Sequence, residues 1–403
     1  LVQTMRQRGA SVKLNSTFME DCVMVDDKIL TENWSMARRF GFPCSMVGQV
    51  VEAEHNYYPR MIDQNTQCEE KWNNAVRGVQ LLANATPEGC EPLRKLSRKY
   101  GIPSHLRGIM WLTLSGAAVK MEENPDFCSL LLQRHGYMTG EPEQTITKDL
   151  ERTFPDHPFF NLREMGSIKL KHVLHSLCWR NPLLNYCQSF NFLAAVLLLI
   201  LDDEESTFWV MLHILENLLP NDYYGEGLMG LKVDQEVAIH LLWEYLPKVA
   251  QHFQNCNFDV RALIPAWVMS LYVNIFPIET TVRIWDYMLT HDPKQGMPGS
   301  PLTIALAVLK IHQDEILRLE DASDILVSLG KWTQVMFDGN KLVKTANDFK
   351  LTPSGLLQLR RHYKGQIIAE NNQRMALKQA RMQERAKKDA ITAELLANQS
   401  LAG

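Results

Sequence analysis

Residues 146–155 read Ile-Thr-Lys-Asp-Leu-Glu-Arg-Thr-Phe-Pro, and this stretch predicts a helix that ends just before a proline. Ile146, Asp149 and Arg152 are spaced three apart, so a helix places their side chains on one stripe. Pro155 disfavours helical geometry in the residue before it, which stops the helix soon after Arg152. The pattern predicts a permanent cation at a helix end, with an acid one turn earlier that can orient it. An ordinary exposed ion pair, contributing about 0.2–0.5 kcal/mol, is the alternative.

Helical patterns extend outward from this stretch in both directions. Apolar residues recur at helical spacing from about residue 70 to 330, and no alternating apolar/polar run bounded by turn residues predicts a strand there. We therefore predict an all-α protein. Its three parts are a partly irregular N-terminal extension (1–70), a large multi-helix domain (71–340) and a basic, helical C-terminal tail (341–403). The apolar stripe of the tail is too thin for a coiled coil, so we expect a solvated helix.

The bulk composition is that of a globular protein, with 46% hydrophobic and 22% charged residues among 403. The net charge of −4 argues against a nucleic-acid binder, which would usually be basic. The eight cysteines are scattered without a Cys-x-x-Cys pair, so we expect reduced thiols and no zinc ribbon. The longest apolar run, Phe192 to Leu201, is too short to span a bilayer and predicts a buried helix.

The motifs of a self-contained enzyme are missing from the sequence. There is no His-Glu-x-x-His, no Gly-x-x-x-x-Gly-Lys-Ser/Thr phosphate loop and no Gly-x-Ser-x-Gly. Residues 225–230 match Gly-x-Gly-x-x-Gly, but a predicted helix precedes them where a dinucleotide site needs a strand, so we interpret them as an interhelical loop. We expect neither a metal, nor a cofactor, nor catalytic activity of the chain alone.

Two further pairs have helical spacing. Arg107 and Trp111 are four residues apart on one predicted helix face, where the guanidinium can lie near the indole. Arg283 and Asp286 are three apart, and we expect them to pair with each other within the structure.

A predicted helix start supplies a second polar group. Asn181 and Pro182 fit the cap and first position of a helix that continues to Leu201. Tyr186 and Gln188 would then lie in its first two turns, with Gln188 at the rim of a buried segment.

Three motifs in order resemble the TBC domain of the GTPase-activating proteins for Rab GTPases, over roughly residues 98–330. They are Arg-x-x-x-Trp at 107–111, Ile-x-x-Asp-x-x-Arg at 146–152 and Tyr-x-Gln at 186–188. Later segments, including Arg283-Ile284-Trp285-Asp286, are also similar to members of the family. Any one motif is weakly specific, whereas three in order with suitable spacing are a strong signal.

The resemblance implies that Arg152 is an arginine finger and Gln188 a glutamine finger, both inserted into a GTP-bound Rab-family GTPase. GTP and Mg²⁺ would belong to that partner. Membrane contact would be indirect, through the lipid-anchored GTPase, which implies a cytoplasmic protein, peripheral on endomembranes, that regulates vesicle traffic. The resemblance implies supporting roles for six residues: Ile146, Asp149, Tyr186, Asn191, Arg107 and Trp111.

The sequence departs from the family at one motif. Members commonly read Tyr-Cys-Gln-Gly-Met-Asn, where this chain has Ser189 and Phe190 after Gln188. A glycine at position 189 would permit close approach of a partner's backbone. We therefore expect Ser189 to alter the efficiency of GTPase activation and the choice of partner. The alternative function is a TBC-fold binding or scaffold protein that engages a GTPase, or another partner through its tail, without accelerating hydrolysis.

Overall fold

The computed structural model describes residues 57, 67–75, 90–160, 164–181, 186–220, 222–290 and 300–401. All regular structure in these residues is helical, which confirms the predicted all-α class. Apart from 57 and 67–70, the predicted N-terminal extension lies outside the described residues. Residues 76–89, at the start of the predicted helical region, also lie outside them.

The helices from residue 91 onward are numbered α1 to α17. In chain order they are α1 (Glu91–Tyr100), α2 (Ser104–Ser115), α3 (Ala117–Glu123), α4 (Phe127–His135), α5 (Glu141–Arg152), α6 (Met165–Arg180), α7 (Phe190–Leu201), α8 (Glu204–His213), α9 (Met229–Tyr245), α10 (Pro247–Asn255), α11 (Leu263–Met269), α12 (Ile278–Leu289), α13 (Pro301–Ile311), α14 (Gln313–Ile316), α15 (Ala322–Gln334), α16 (Gly339–Asp348) and α17 (Pro353–Leu401).

The core is built around α7, whose apolar run is buried as predicted. Its residues Leu193 to Leu198 have no exposed surface. Helices α6, α7 and α8 pack against one another, and α5 packs against α6 and α7. Four of these residues, Leu193, Val196, Leu197 and Leu198, have large aliphatic side chains. The burial of each contributes roughly 1.5–3 kcal/mol, so this helix is a fixed platform for the segment before it. None of the described helices combines the length and apolar character needed to cross a bilayer.

A second packing layer is organised by α12, which is buried over most of its length. It packs against α1, α2 and α16, and α16 also packs against α13. The described residues up to Ser354 form one compact unit, and those from Gly355 onward, most of α17, form another. The predicted boundary at 340 therefore falls inside α16, because Leu342, Val343 and Ala346 bury this helix in the first unit.

Two connections between helices contain glycines. Helix α2 ends at Ser115, because Gly116 takes a left-handed conformation (φ 78°) that separates it from α3. Residues 225–230 contain a short 3₁₀ turn, and α9 begins at Met229 without a strand before the glycines. The interpretation of this segment as an interhelical loop is consistent with that geometry.

A buried polar network joins α2 to α12, and it corrects the predicted Arg283–Asp286 pair. The Asp286 carboxylate accepts hydrogen bonds from Arg107 Nε at 2.9 Å, Trp111 Nε1 at 2.9 Å and the Ile102 N–H at 2.9 Å. Arg283 instead donates to Asn340 Oδ1 at 2.6 Å and to the Arg98 carbonyl at 2.8 Å. Spacing on one helix showed that the two could pair, but the other helices supplied better partners for each.

Two buried histidines should make the fold sensitive to acid. Burial lowers the pKa of His175 to about 4 and that of His213 to about 4. The Met138 N–H donates to His175 Nδ1 at 2.8 Å, so that nitrogen must stay unprotonated, while Nε2 lies 2.9 Å from Glu143. The structure therefore selects the neutral imidazole.

Between pH 6.5 and 4 the unfolded chain binds protons that the folded chain does not, so stability should fall as the pH falls through this window and level off below it. We expect a loss on the order of 3 kcal/mol for each histidine, measured by urea unfolding at several pH values. His213→Gln should flatten the dependence, and the exposed His105→Gln should not. An unchanged slope in His213→Gln would contradict the assignment.

Candidate functional site

The end of α5 presents a cation with an acid one turn earlier, as the sequence predicted. The helix ends at Arg152, and Thr153 takes an extended conformation. Arg152 Nη2 lies 2.6 Å from Asp149 Oδ1, with the Arg152 side chain 48% exposed and that of Asp149 3% exposed. The carboxylate is therefore fixed in the protein, while the guanidinium reaches solvent.

Asp149 also holds the segment that carries Gln188. Its second oxygen, Oδ2, accepts a hydrogen bond from the Tyr186 hydroxyl at 2.7 Å. Burial raises the pKa of Tyr186, and the bond to Asp149 raises it further, so the phenol remains protonated and donates. One carboxylate thus connects Arg152 to a residue two positions before Gln188.

Thr153 provides a second connection that the sequence analysis did not assign to the site. Its hydroxyl donates to the Asp149 carbonyl and accepts from Asn191 Nδ2 at 2.7 Å. Thr153 and Asn191 have no exposed surface. The sequence signal that could have identified Thr153 is its position directly after Arg152, at the start of Thr-Phe-Pro. Together, the two connections fix the α5 end against the start of α7.

The position of Gln188 differs from the prediction. It lies in a turn ahead of α7, which begins at Phe190, and not within a helix that starts at Asn181. Asn181 instead ends α6, and residues 182–185 lie outside the described residues. The turn arises because Ser189 has a φ of 99°, a left-handed conformation that an α-helix cannot include. Gln188 is exposed, and its side-chain amide has no hydrogen-bond partner among the described residues.

Phe190, two positions after Gln188, faces inward. Phe190 is 2% exposed and makes edge-to-face contact with Tyr224, the ring centroids being 4.9 Å apart. The bulk that distinguishes this position from the usual methionine is therefore accommodated in the core. Burial raises the pKa of the Cys187 thiol to about 11, so this group is neutral and not a nucleophile.

A known protein family matches the part of the chain that contains this site. The family model "Rab-GTPase-TBC domain" matches residues 104–317, which include Arg152, Gln188 and the motifs around them. The chain belongs to this family.

Relatives of the TBC domain extend the match. The chain is 32% identical over 297 residues to TBC1 domain family member 2A of Bos taurus, covering 73% of this chain and 32% of the relative. It is 34% identical over 257 residues to Growth hormone-regulated TBC protein 1 of Homo sapiens, covering 63% and 72% respectively. The chain thus spans about a third of the length of TBC1 domain family member 2A.

Solved structures support the same fold. The crystal structure of the Chlamydomonas flagellar RabGAP TBC domain aligns with a TM-score of 0.61 at 26% identity, covering 77% of this chain and 98% of that one. The Ypt/Rab-GAP domain of Gyp1p aligns with a TM-score of 0.56 at 20% identity, covering 70% and 97%, which is a likeness of fold alone.

Arg107 and Trp111 do not contact the two finger candidates, although the resemblance implied supporting roles for them. Their hydrogen-bond partners are Ile102 and Asp286, and the Trp111 ring packs 5.8 Å from that of Trp285. These contacts tie α2 to α12 and involve neither Arg152 nor Gln188. Ile146, in contrast, is fully buried beneath the stripe that carries Asp149 and Arg152, and helps to fix the rotation of α5.

The described residues contain no group of three or more His, Cys, Asp or Glu side chains suited to a metal ion. Arg152 and Gln188 supply one delocalised cation and one neutral amide that both donates and accepts hydrogen bonds.

Ser189→Gly should stabilise this TBC domain. A non-glycine residue in a left-handed conformation costs roughly 1–2 kcal/mol, and the added freedom of the unfolded glycine offsets part of the relief. We expect the free energy of unfolding to rise by about 0.5–1 kcal/mol on urea denaturation. Ser323→Gly, at the exposed helical start of α15, is the matched control and should lower it. A Ser189→Gly protein less stable than the wild type would show that the turn is not strained.

Proposed function

We propose that this TBC domain stimulates GTP hydrolysis by a Rab-family small GTPase, with Arg152 and Gln188 inserted into the partner's active site. The observation that carries the proposal is the bond from Tyr186 to Asp149, which holds both candidate fingers to one buried carboxylate while leaving both accessible. A surface ion pair with no further role would not need a buried acid shared with a distant segment.

The chemistry of phosphoryl transfer requires these residue types. Negative charge spreads over the oxygens of the transferring phosphoryl group and the leaving group in the transition state. A guanidinium is always charged and carries planar donors that match phosphate oxygens. The Gln188 amide can accept a hydrogen bond from the attacking water through its oxygen and donate one to an oxygen of the phosphoryl group through its nitrogen. GTP and Mg²⁺ belong to the GTPase in this scheme.

The surrounding residues hold Arg152 and Gln188 in position and do not contact the reacting atoms. Asp149 limits the rotamers of Arg152, and Tyr186 and Asn191 fix the turn that carries Gln188. Holding such groups in place before the partner arrives lowers the entropic cost of assembling the site. We propose that the protein works in the cytoplasm, at endomembranes that it reaches through its lipid-anchored partner, and so regulates vesicle traffic.

A transition-state trap separates an activator from a scaffold of the same fold. GDP-loaded Rab GTPases would be mixed with the chain, with and without aluminium fluoride, which takes the place of the transferring phosphoryl group. An activator should bind the GDP-loaded partner only when aluminium fluoride is present, and Gln188→Ala should weaken this complex. A scaffold should instead bind the GTP-loaded form equally well as wild type and as Gln188→Ala. Its binding to the GDP-loaded form should not depend on aluminium fluoride.

A further inference from the structure

A basic cavity lies between α1 and α16, on helices other than those that carry Arg152 and Gln188. Its volume is about 740 Å³. Two carboxylates, Asp338 and Asp348, and six cationic side chains line it, which gives a formal charge of +4 in a chain whose net charge is −4. The cations are Lys95, Arg98, Lys99, Arg283, Lys341 and Lys344.

Most of this positive charge has no counter-ion among the residues that the structure describes. Arg98 pairs with Glu91 at 2.6 Å, and Asp338 accepts from the Lys341 N–H as the cap of α16. Among the described residues, Lys95, Lys341 and Lys344 have no ion-pair partner. Like charges facing one another across two helices raise the free energy of the empty cavity, and an anion between them would remove this repulsion.

Arg283 gives the cavity a fixed guanidinium. It is 8% exposed and lines the cavity, with Nε bonded to Asn340 and Nη2 to the Arg98 carbonyl. Its third nitrogen, Nη1, is buried and has no hydrogen-bond partner among the described residues. Burial lowers the pKa of Arg283, as expected for a cation whose charge is not fully compensated.

Two glycines leave room for the Arg283 side chain. A Cβ at Gly101 would lie 2.9 Å from Arg283 Cδ, and one at Gly339 would lie 2.9 Å from Arg283 Cβ and Cγ. A larger residue at either position would displace the arginine. Close packing and two hydrogen bonds hold the Arg283 guanidinium in one orientation at the cavity wall, so its ordering costs little when an anion binds.

We propose that this cavity binds a small, multiply phosphorylated ligand. Several lysines and an arginine fork match the charge and the oxygens of clustered phosphates. Charged and amide side chains make up most of the lining, beside Val343 and Tyr100. This composition favours a highly charged ligand over a peptide with several apolar side chains. The same chemistry occurs in a soluble inositol polyphosphate and in a phosphoinositide headgroup, and the experiment distinguishes these two sources.

The test uses the full chain and two probes. One is inositol hexakisphosphate, followed by titration calorimetry. The other is phosphatidylcholine vesicles containing phosphatidylinositol bisphosphate, followed by co-sedimentation against vesicles with the same charge supplied by phosphatidylserine. Lys95→Glu/Lys344→Glu should weaken binding of the hexakisphosphate at least about tenfold, and added salt should weaken it further. Both side chains are exposed, so the fold should survive, and Arg283 remains intact.

The matched control is Lys248→Glu/Lys331→Glu, which makes the same charge change at exposed positions outside the cavity and should bind like the wild type. Displacement from the bisphosphate vesicles by the hexakisphosphate would identify a lipid headgroup as a ligand, and binding of the hexakisphosphate alone would identify a soluble one. The proposal fails if neither probe saturates, or if both double variants lose binding equally. It also fails if vesicle binding persists in the cavity variant and is lost in the tail variant Lys378→Glu/Arg381→Glu.

The cavity proposal is independent of the proposed function. Lys95→Glu/Lys344→Glu should retain full stimulation of a responsive GTPase in solution, because neither residue belongs to the α5–α7 site. A loss of ligand binding with unchanged stimulation would therefore test the cavity alone.

Discussion

Arg152→Ala should lower the stimulated rate of GTP hydrolysis by about 10³–10⁵, which corresponds to roughly 4–7 kcal/mol of transition-state stabilisation. The ion pair that Arg152 makes with Asp149 cannot account for an effect of this size, because the guanidinium is half exposed and such pairs contribute about 0–1 kcal/mol. The measurement is single-turnover hydrolysis with a saturating concentration of the TBC domain, which isolates the chemical step from binding.

Arg152→Lys is the informative control for the same position. It keeps a cation beside the buried Asp149, so the fold should be preserved, but the ammonium lacks the planar fork that contacts several oxygens at once. We expect its rate to lie much nearer to that of Arg152→Ala than to that of the wild type. A thermal midpoint close to the wild-type value would show that the loss of rate is not a loss of fold. Wild-type activity in Arg152→Lys would show that charge alone is sufficient.

Asp286→Ala should cause the largest loss of stability of any single substitution considered. The carboxylate has no exposed surface and accepts bonds from Arg107, Trp111 and the Ile102 N–H. Its removal would leave the Arg107 guanidinium buried without its carboxylate, a change that typically costs about 3–5 kcal/mol. Because these bonds join α2 to α12, we expect the whole compact unit to be affected.

Urea unfolding measures this prediction directly, and Asp286→Asn keeps the shape of the side chain if the alanine variant does not accumulate. The asparagine should still cost stability, because its amide replaces one acceptor oxygen with a donor. Asp324→Ala, at an exposed position on α15, is the matched control and should change the free energy of unfolding by less than about 0.5 kcal/mol. A loss below about 1 kcal/mol in Asp286→Ala would contradict the role assigned to the network.

Local patterns were sufficient where one helix determined the outcome. The three-residue spacing of Asp149 and Arg152, followed by Pro155, correctly predicted a cation at a helix end with an acid one turn earlier. The apolar run that became α7 was correctly predicted to be buried. In both cases the deciding interactions lie within about one or two turns of helix, so sequence spacing contains the necessary information.

The sequence prediction was wrong where a backbone conformation or a distant helix decided the outcome. Gln188 lies in a turn because Ser189 takes a positive φ, which residue preferences for a serine do not indicate. Arg283 and Asp286 have the spacing of a pair, yet Arg283 bonds Asn340 of α16 and Asp286 bonds Arg107 of α2. The bond between Tyr186 and Asp149 joins residues 37 positions apart, and no local pattern predicted it.

The most direct test of the proposed function is single-turnover GTP hydrolysis by a panel of GTP-loaded Rab GTPases, with the wild-type chain and with Arg152→Ala and Gln188→Ala. We predict that at least one GTPase is strongly stimulated by the wild type, that Arg152→Ala abolishes nearly all of this stimulation, and that Gln188→Ala removes a large part of it. Stimulation of none of the panel, or equal stimulation by wild type and Arg152→Ala, would contradict the two-finger mechanism.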